Sequence, residues 1–157
     1  RREKINFNVF EKAMSEENNN LYKFQEWLES KVSAVLPEEV EILCRRKGNI
    51  DNDVRNALSK IGVAVVIEPP LVRQWTDSYI LKAEVVESDI HFLENVTLKK
   101  SERTASGLLL DVSRAIHQER CDELGASVLR LGQIDNLSPA DQPLVHYVLT
   151  VSNALNI

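Results

Sequence analysis

Residues 63 to 67 read VAVVI, four β-branched residues and an alanine, with Gly62 before them and Pro69-Pro70 just after. A strand with one wet face alternates apolar and polar residues, and this one does not. An unbroken β-branched run is expected of a strand covered on both faces. The chain must therefore build layers around it, with a sheet in the middle and helices or further strands on either side.

The flanking segments supply those layers. Leu21, Phe24, Leu28, Val32 and Val35 recur at helical spacing, Asn20 is placed to cap the run, and Pro37 stops it. Val40, Ile42 and Cys44 alternate as a strand that ends in the basic run Arg45-Arg46-Lys47 before Gly48. Asp51 to Ile61 fits a short helix capped by Asp51 or Asn52, with Val54, Leu58 and Ile61 on one face and Gly62 closing it in the left-handed conformation. A strand is expected from Ser78 to about Glu87, which leaves LVRQWTDS as a long hairpin tip or flexible loop with Trp75 as an apolar residue in it. Ser101 can cap a third helix whose stripe is Ala105, Leu108, Leu109, Val112 and Ile116, ending before Gly125. Two last strands are expected at Ser127 to Ile134 and Leu144 to Ser152. The order predicts an α+β domain: a mixed, largely antiparallel sheet of four to five strands, with helices packed mainly on one face. Residues 1 to 20 carry little periodicity and end in SEENNN, so they read as an arm ahead of a single domain over 21–157.

One stretch resists this pattern. Tyr79, Leu81, Ala83 and Val85 share one parity, whereas Ile90 and Phe92 carry the apolar signal on the other. The break falls near Ser88, inside an acidic lead-in to HFLENVTLKK. It marks either a catalytic site or a strand that leaves its own sheet to meet another subunit.

Chemistry is sparse. A formal charge of −5 argues against general nucleic-acid binding, which draws most of its affinity from Lys and Arg on phosphates. No stretch of 18 apolar residues is present, and RREKINFNVFEK lacks the apolar centre of a signal peptide, so Asn95-Val96-Thr97 is a sequon in name only. Cys44 and Cys121 fit neither a zinc quartet nor a disulfide framework and are expected as small buried apolar residues. No Gly-x-Ser-x-Gly elbow, His-Glu-x-x-His, EF-hand or phosphate-cradling glycine loop occurs. A thiol triad would have to draw on Cys44 or Cys121 with His91, His117 or His146, and His146 reads better as a strand residue. The acids Glu84, Glu87, Asp89 and Glu94 form the nearest metal candidate, but a solvated edge strand explains them more simply, and the pair Glu29-x-Lys31 lies on a helix, not a strand. No cofactor or metal is expected. Of two basic groups, Arg45-Arg46-Lys47 reads as an ordinary strand end. Lys99-Lys100 with Arg103 stands at a helix entrance, where cations are not helped by the dipole, and so hints at a partner.

A leading amphipathic helix, a central hairpin with a long tip, then "HFLENVTLKKSERTASGLLLDVSRAIH" and a final "PLVHYVLTVSNAL" resemble bacteriophage tail terminator and tail-completion (neck) proteins over Leu21 to Ile157. Glu94-Asn95 matches a Glu-Asn seen within a strand of that family, while Lys99-Lys100 stands where Asn-Arg is expected. The resemblance implies a structural virion protein, not an enzyme: a homo-hexameric ring in the tail or neck, assembled in the host cytoplasm. Such a ring caps the tail tube, ends its polymerisation and offers a face to the head-side connector or stopper, with DNA passing transiently through the lumen and no membrane contact. Candidate subunit or partner contacts are Arg73, Trp75, Glu94, Asn95, Lys99, Lys100 and Arg103. Two rivals remain: a small metal-dependent or thiol hydrolase, and a non-viral α+β protein-interaction domain, dimeric with a two-fold contact.

Overall fold

The computed structural model describes residues 19–45, 48–77, 79 and 81–156. The expected arm over residues 1–20 lies outside these but for Asn19 and Asn20, as do Arg46 and Lys47 of the first basic group and Ser78 and Ile80 of the expected strand start. The elements run α1 (Asn20–Ser33), β1 (Glu41–Cys44), α2 (Asp51–Lys60), β2 (Val63–Ile67), β3 (Leu71–Trp75), β4 (Lys82–Asn95), α3 (Ala105–Ile116), a 3-10 turn (Asp122–Leu124), β5 (Arg130–Asn136) and β6 (Leu144–Asn156).

Among the described residues, six strands form one sheet in the order β1-β2-β4-β6-β5, with β3 also on β4. Only β1 and β2 are parallel; the other pairings are antiparallel. The domain is α+β, as its element order predicts. The strand beyond the expected five is β3. It pairs Leu71 with Glu87 and Trp75 with Ala83, so LVRQW is a strand and the tip narrows to residues 76–81. Because β2 pairs Val63 with Glu94 and Ile67 with Ile90, β2 and β3 lie one after the other along the same side of β4, interrupted by Pro69-Pro70. Proline lacks the amide that would continue the ladder.

All five residues of β2 are buried, as the unbroken apolar run requires. Val63, Val65 and Ile67 join the main core with Phe24, Leu28 and Val32 of α1 and Leu108, Val112 and Ile116 of α3. Val66 faces the other way, against Ile50, Leu93, Val54 and Leu58 around α2. Two helices thus cover one face and one short helix covers part of the other. The caps sit one to three residues from their expected places: Asn19 caps α1 by accepting from the Tyr22 amide at 2.7 Å, and Thr104 caps α3 by accepting from the Gly107 amide at 3.1 Å. No side-chain cap closes α2 at Ile50, although Asn49 Oδ1 accepts from the Asp51 amide.

The parity break is a β-bulge. Ala83 pairs with Leu155 and Val86 with Asn153, so Glu84 and Val85 stand opposite the single residue Ala154, and this one extra residue moves the buried face from odd to even positions. Val86, Ser88, Ile90, Phe92 and Glu94 are then all buried. The shift sits a few residues before Ser88, and it breaks no strand. Nor does HFLEN leave its sheet: His91 to Asn95 pair with β6, and His91 to Glu94 also with β2, at the centre of the fold. This corrects both the edge-strand reading of the acids and the reading of this stretch as a strand that leaves its own sheet.

Candidate functional site

Glu94 is 6% exposed and points to the face that α3 covers. Its Oε2 accepts from the Ala105 amide at 2.9 Å and its Oε1 from Lys99 Nζ at 3.0 Å. An anion at a helix N-terminus satisfies an otherwise orphaned amide and interacts well with the helix dipole. Lys99 therefore stands at a helix entrance because Glu94 is already there, which removes the unfavourable placement that pointed to a partner. Asn95 Oδ1 accepts from the amides of Thr97 and Leu98, turning the chain away from β4. The Asn95 amide donates to Gly62 O at 2.7 Å and the Lys100 amide to Ile61 O at 3.0 Å. Gly62 has φ 86°, and a Cβ there would collide with the Lys99 backbone. Glu94, Asn95 and Lys99 thus knit α2, β4 and α3 together from within.

The remaining candidates are on the surface. Lys100 is exposed. Arg103 is exposed as well and lies 3.6 Å from Asp111 of α3. Arg73 donates to Glu87 Oε2 at 2.8 Å across the β3–β4 pair, and Trp75 is 46% exposed on β3, far from the Glu94 node in the register. The candidates accordingly divide into an internal node and two surface groups.

The acids do not converge. Glu84 accepts from Gln74, Glu87 from Arg73, Asp89 from Thr150 Oγ1 at 2.7 Å, and Glu94 from Lys99. Among the described residues no group of three or more His, Cys, Asp and Glu is placed to hold a metal ion. Cys44 and Cys121 are both buried and in no disulfide, and burial pushes the Cys121 thiol up from its ordinary pKa.

A different cluster emerges on the face partly covered by α2. His91 on β4 and His146 on β6 sit diagonally across the pair, since Leu93 is the residue opposite His146. His91 Nδ1 and His146 Nε2 are 2.9 Å apart, and His91 Nε2 is 3.2 Å from Glu68 Oε1. Arg45 Nε donates to the same Glu68 oxygen at 2.6 Å. The carboxylate fixes the tautomer: His91 donates from Nε2 to Glu68, and its Nδ1 accepts from His146. Burial pushes both imidazoles below their ordinary pKa. For His91 the carboxylates of Glu68 and Asp89 oppose that push and Arg45 adds to it; for His146 the charge of His91 adds to it. Both rings open on a cleft of about 310 Å³ walled by Arg45, Asp51 and Arg55 and floored by Val66, Leu93 and the histidines. In sequence these are two isolated histidines among apolar strand residues, and only the register brings them together.

No protein-family model and no curated protein matches this chain.

Proposed function

We propose that this chain is a ring-forming assembly protein of the tail-terminator type, acting by covering surface and not by catalysis. What carries the reading is the pair of unlike open margins on one sheet. On one side, among the described residues, β5 pairs only with β6, and Ile134 and Leu137 are exposed there. On the other side, among the described residues, β1 pairs only with β2 and β3 only with β4, and Leu71 and Trp75 of β3 are exposed, with Tyr79 and Leu81 at the adjoining tip. Open strand edges with apolar side chains invite pairing unless they are covered. Two different margins on one protomer suit a head-to-tail contact, which closes into a ring when the rotation per subunit closes; a two-fold dimer would use one margin twice. The order of elements supports the same reading through its resemblance to terminator and neck proteins, with the tube end and the head-side connector as the further partners. A hydrolase reading finds less support, because each acid of β4 has its own partner.

Mass measurement on the purified chain, alone and with tail tubes, tests this. Six copies per ring, formed unaided or on the tube end, together with tubes of capped length, are expected. A chain that stays monomeric and leaves tube growth unchanged overturns the proposal, and a stable dimer points to the interaction-domain alternative.

A further inference from the structure

Two open margins of the sheet match each other in direction, in face and in chemistry. β3 runs antiparallel to β4, whereas β5 runs the same way as β4, because both β4 and β5 are antiparallel to β6. β3 and β5 therefore run in opposite directions on opposite sides of one protomer. Two copies set side by side in the same orientation, as a ring requires, bring β5 of one against β3 of the next as an antiparallel pair with like faces of their sheets aligned. On the face that carries α2, β3 presents Leu71, opposite Glu87, and Arg73, which donates to Glu87. On that same face β5 presents Asp135, opposite Val148, followed by Leu137, whose amide donates to His146 O. On the face of α1 and α3, Trp75 stands opposite Ala83 and Ile134 opposite Leu149, partners that both belong to the main core. Leu71, Trp75, Ile134 and Leu137 are 51%, 46%, 51% and 55% exposed, so each has apolar surface left to cover.

We propose that β3 of one copy pairs with β5 of the next in the register that sets Leu71 against Leu137, Arg73 against Asp135 and Trp75 against Ile134, making the sheet continuous across the subunit boundary. The first two pairs follow from one antiparallel count, and the irregularity between Gln74 and Trp75 moves the third by one residue. Apolar meets apolar at both ends, and opposite charges meet in the middle. Arg73 and Asp135 each have a partner in their own copy, Glu87 and Gln133, but a guanidinium carries five N–H donors and a carboxylate two accepting oxygens, so both can take another. The register also fits the room available. β1 flanks β2 where β2 meets β4 between Ile90 and Leu93, and β3 flanks β4 lower down, between Ala83 and Glu87. An incoming β5 lies in the same column as β1 and fits beneath it only if the next copy is displaced along the strands. Leu71 stands at the height of Glu87, and Leu137, beside His146, at the height of Leu93 in its own copy. Matching them displaces the next copy by roughly 20 Å at about 3.3 Å per residue. A stagger repeated at every boundary tilts the strands against the ring axis, as closure of a sheet requires.

The pairing rests on the ring reading above and adds which strands meet. The test uses the full chain in its assembled form, alone or on tube ends, with circular dichroism to check that each variant folds. Leu71→Cys/Leu137→Cys, oxidised with diamide and separated without reducing agent, is expected to give covalent multimers of up to six copies, while the buried Cys44 and Cys121 stay silent. Leu71→Cys/Leu110→Cys, with its second thiol on the exposed side of α3, is expected to give none. Arg73→Asp and Asp135→Arg are each expected to raise the concentration needed for assembly by about 10-fold or more, and the two together to return it toward that of the unaltered chain. A ring that forms without the Leu71–Leu137 cross-link, or that ignores both charge reversals, overturns the pairing while ring formation stands. A chain that forms no ring overturns both.

Discussion

The two faces of the sheet are built on opposite principles. Under α1 and α3 the packing is continuous and apolar, with Phe24, Leu28, Ile90, Phe92, Leu108 and Leu149 all buried, and Glu94 enters only where a helix end and a lysine receive it. Under α2 the apolar cluster is small, Ile50, Val66 and Leu93 with a few partly buried neighbours, and beside it runs the connected row Arg45, Glu68, His91 and His146. Residues one position apart on β4, such as Phe92 and His91, belong to these different environments. One face supplies most of the cohesion, and the thinner cover on the other leaves room for ionisable groups to meet in a cleft.

Substitutions can break that contrast, beginning with the core. Phe92→Ala is expected to destabilise by about 3–5 kcal/mol, the range for emptying a well-packed aromatic site, measured by urea unfolding. If Leu93→Ala on the α2 face costs as much, the faces are energetically alike and the contrast fails. Glu94→Ala leaves the Ala105 amide and Lys99 without their acceptor, and about 1–3 kcal/mol is expected in the same assay. Lys99→Glu, which sets a second carboxylate beside Glu94, should also lower folding stability, whereas Lys100→Glu at an exposed position should change it by less than about 0.5 kcal/mol.

Smaller still is the acid response of the α2 face. Both histidines have folded pKa values below the unfolded value of about 6.5, so the unfolded chain binds more protons and stability is lost as pH falls below about 6.5 toward the folded values. Above that range the pair contributes no pH dependence. The difference in urea midpoint between pH 7.5 and pH 5.5 should shrink in His91→Gln/His146→Gln; an unchanged difference would assign the acid sensitivity elsewhere. The smallest folding effect belongs to Trp75→Ser, within about 0.5 kcal/mol, with ring or tube-end assembly as the readout that should suffer.

The sequence showed the helices and β2 clearly, because an amphipathic stripe such as Ala105, Leu108, Leu109, Val112 and Ile116 and an unbroken run such as VAVVI are local signals. β3 was illegible for the converse reason. LVRQW follows two prolines and has only one half-buried position, so its strand conformation comes from pairing with β4 and not from its own pattern. The parity change on β4 was visible but its cause was not, since a bulge is defined by the partner strand. The candidate contacts divided in the same way: Glu94, Asn95 and Lys99 looked like a surface motif because nothing local reveals that Gly62 and the start of α3 close over them. The histidine pair depends wholly on register between strands far apart in the chain.

That register sets an order of events in time. β4 is the longest strand described here, and its partner along its whole length is β6, where Lys82 meets Asn156 and Asn95 meets Leu144. Nothing made earlier can take that place on its β6 side. During synthesis the middle of the sheet must wait for β6, since pairings between distant segments are slow to close. β4 is thus held in suspense until β6 arrives, and removing β6 would deprive the molecule of its centre and not of its margin.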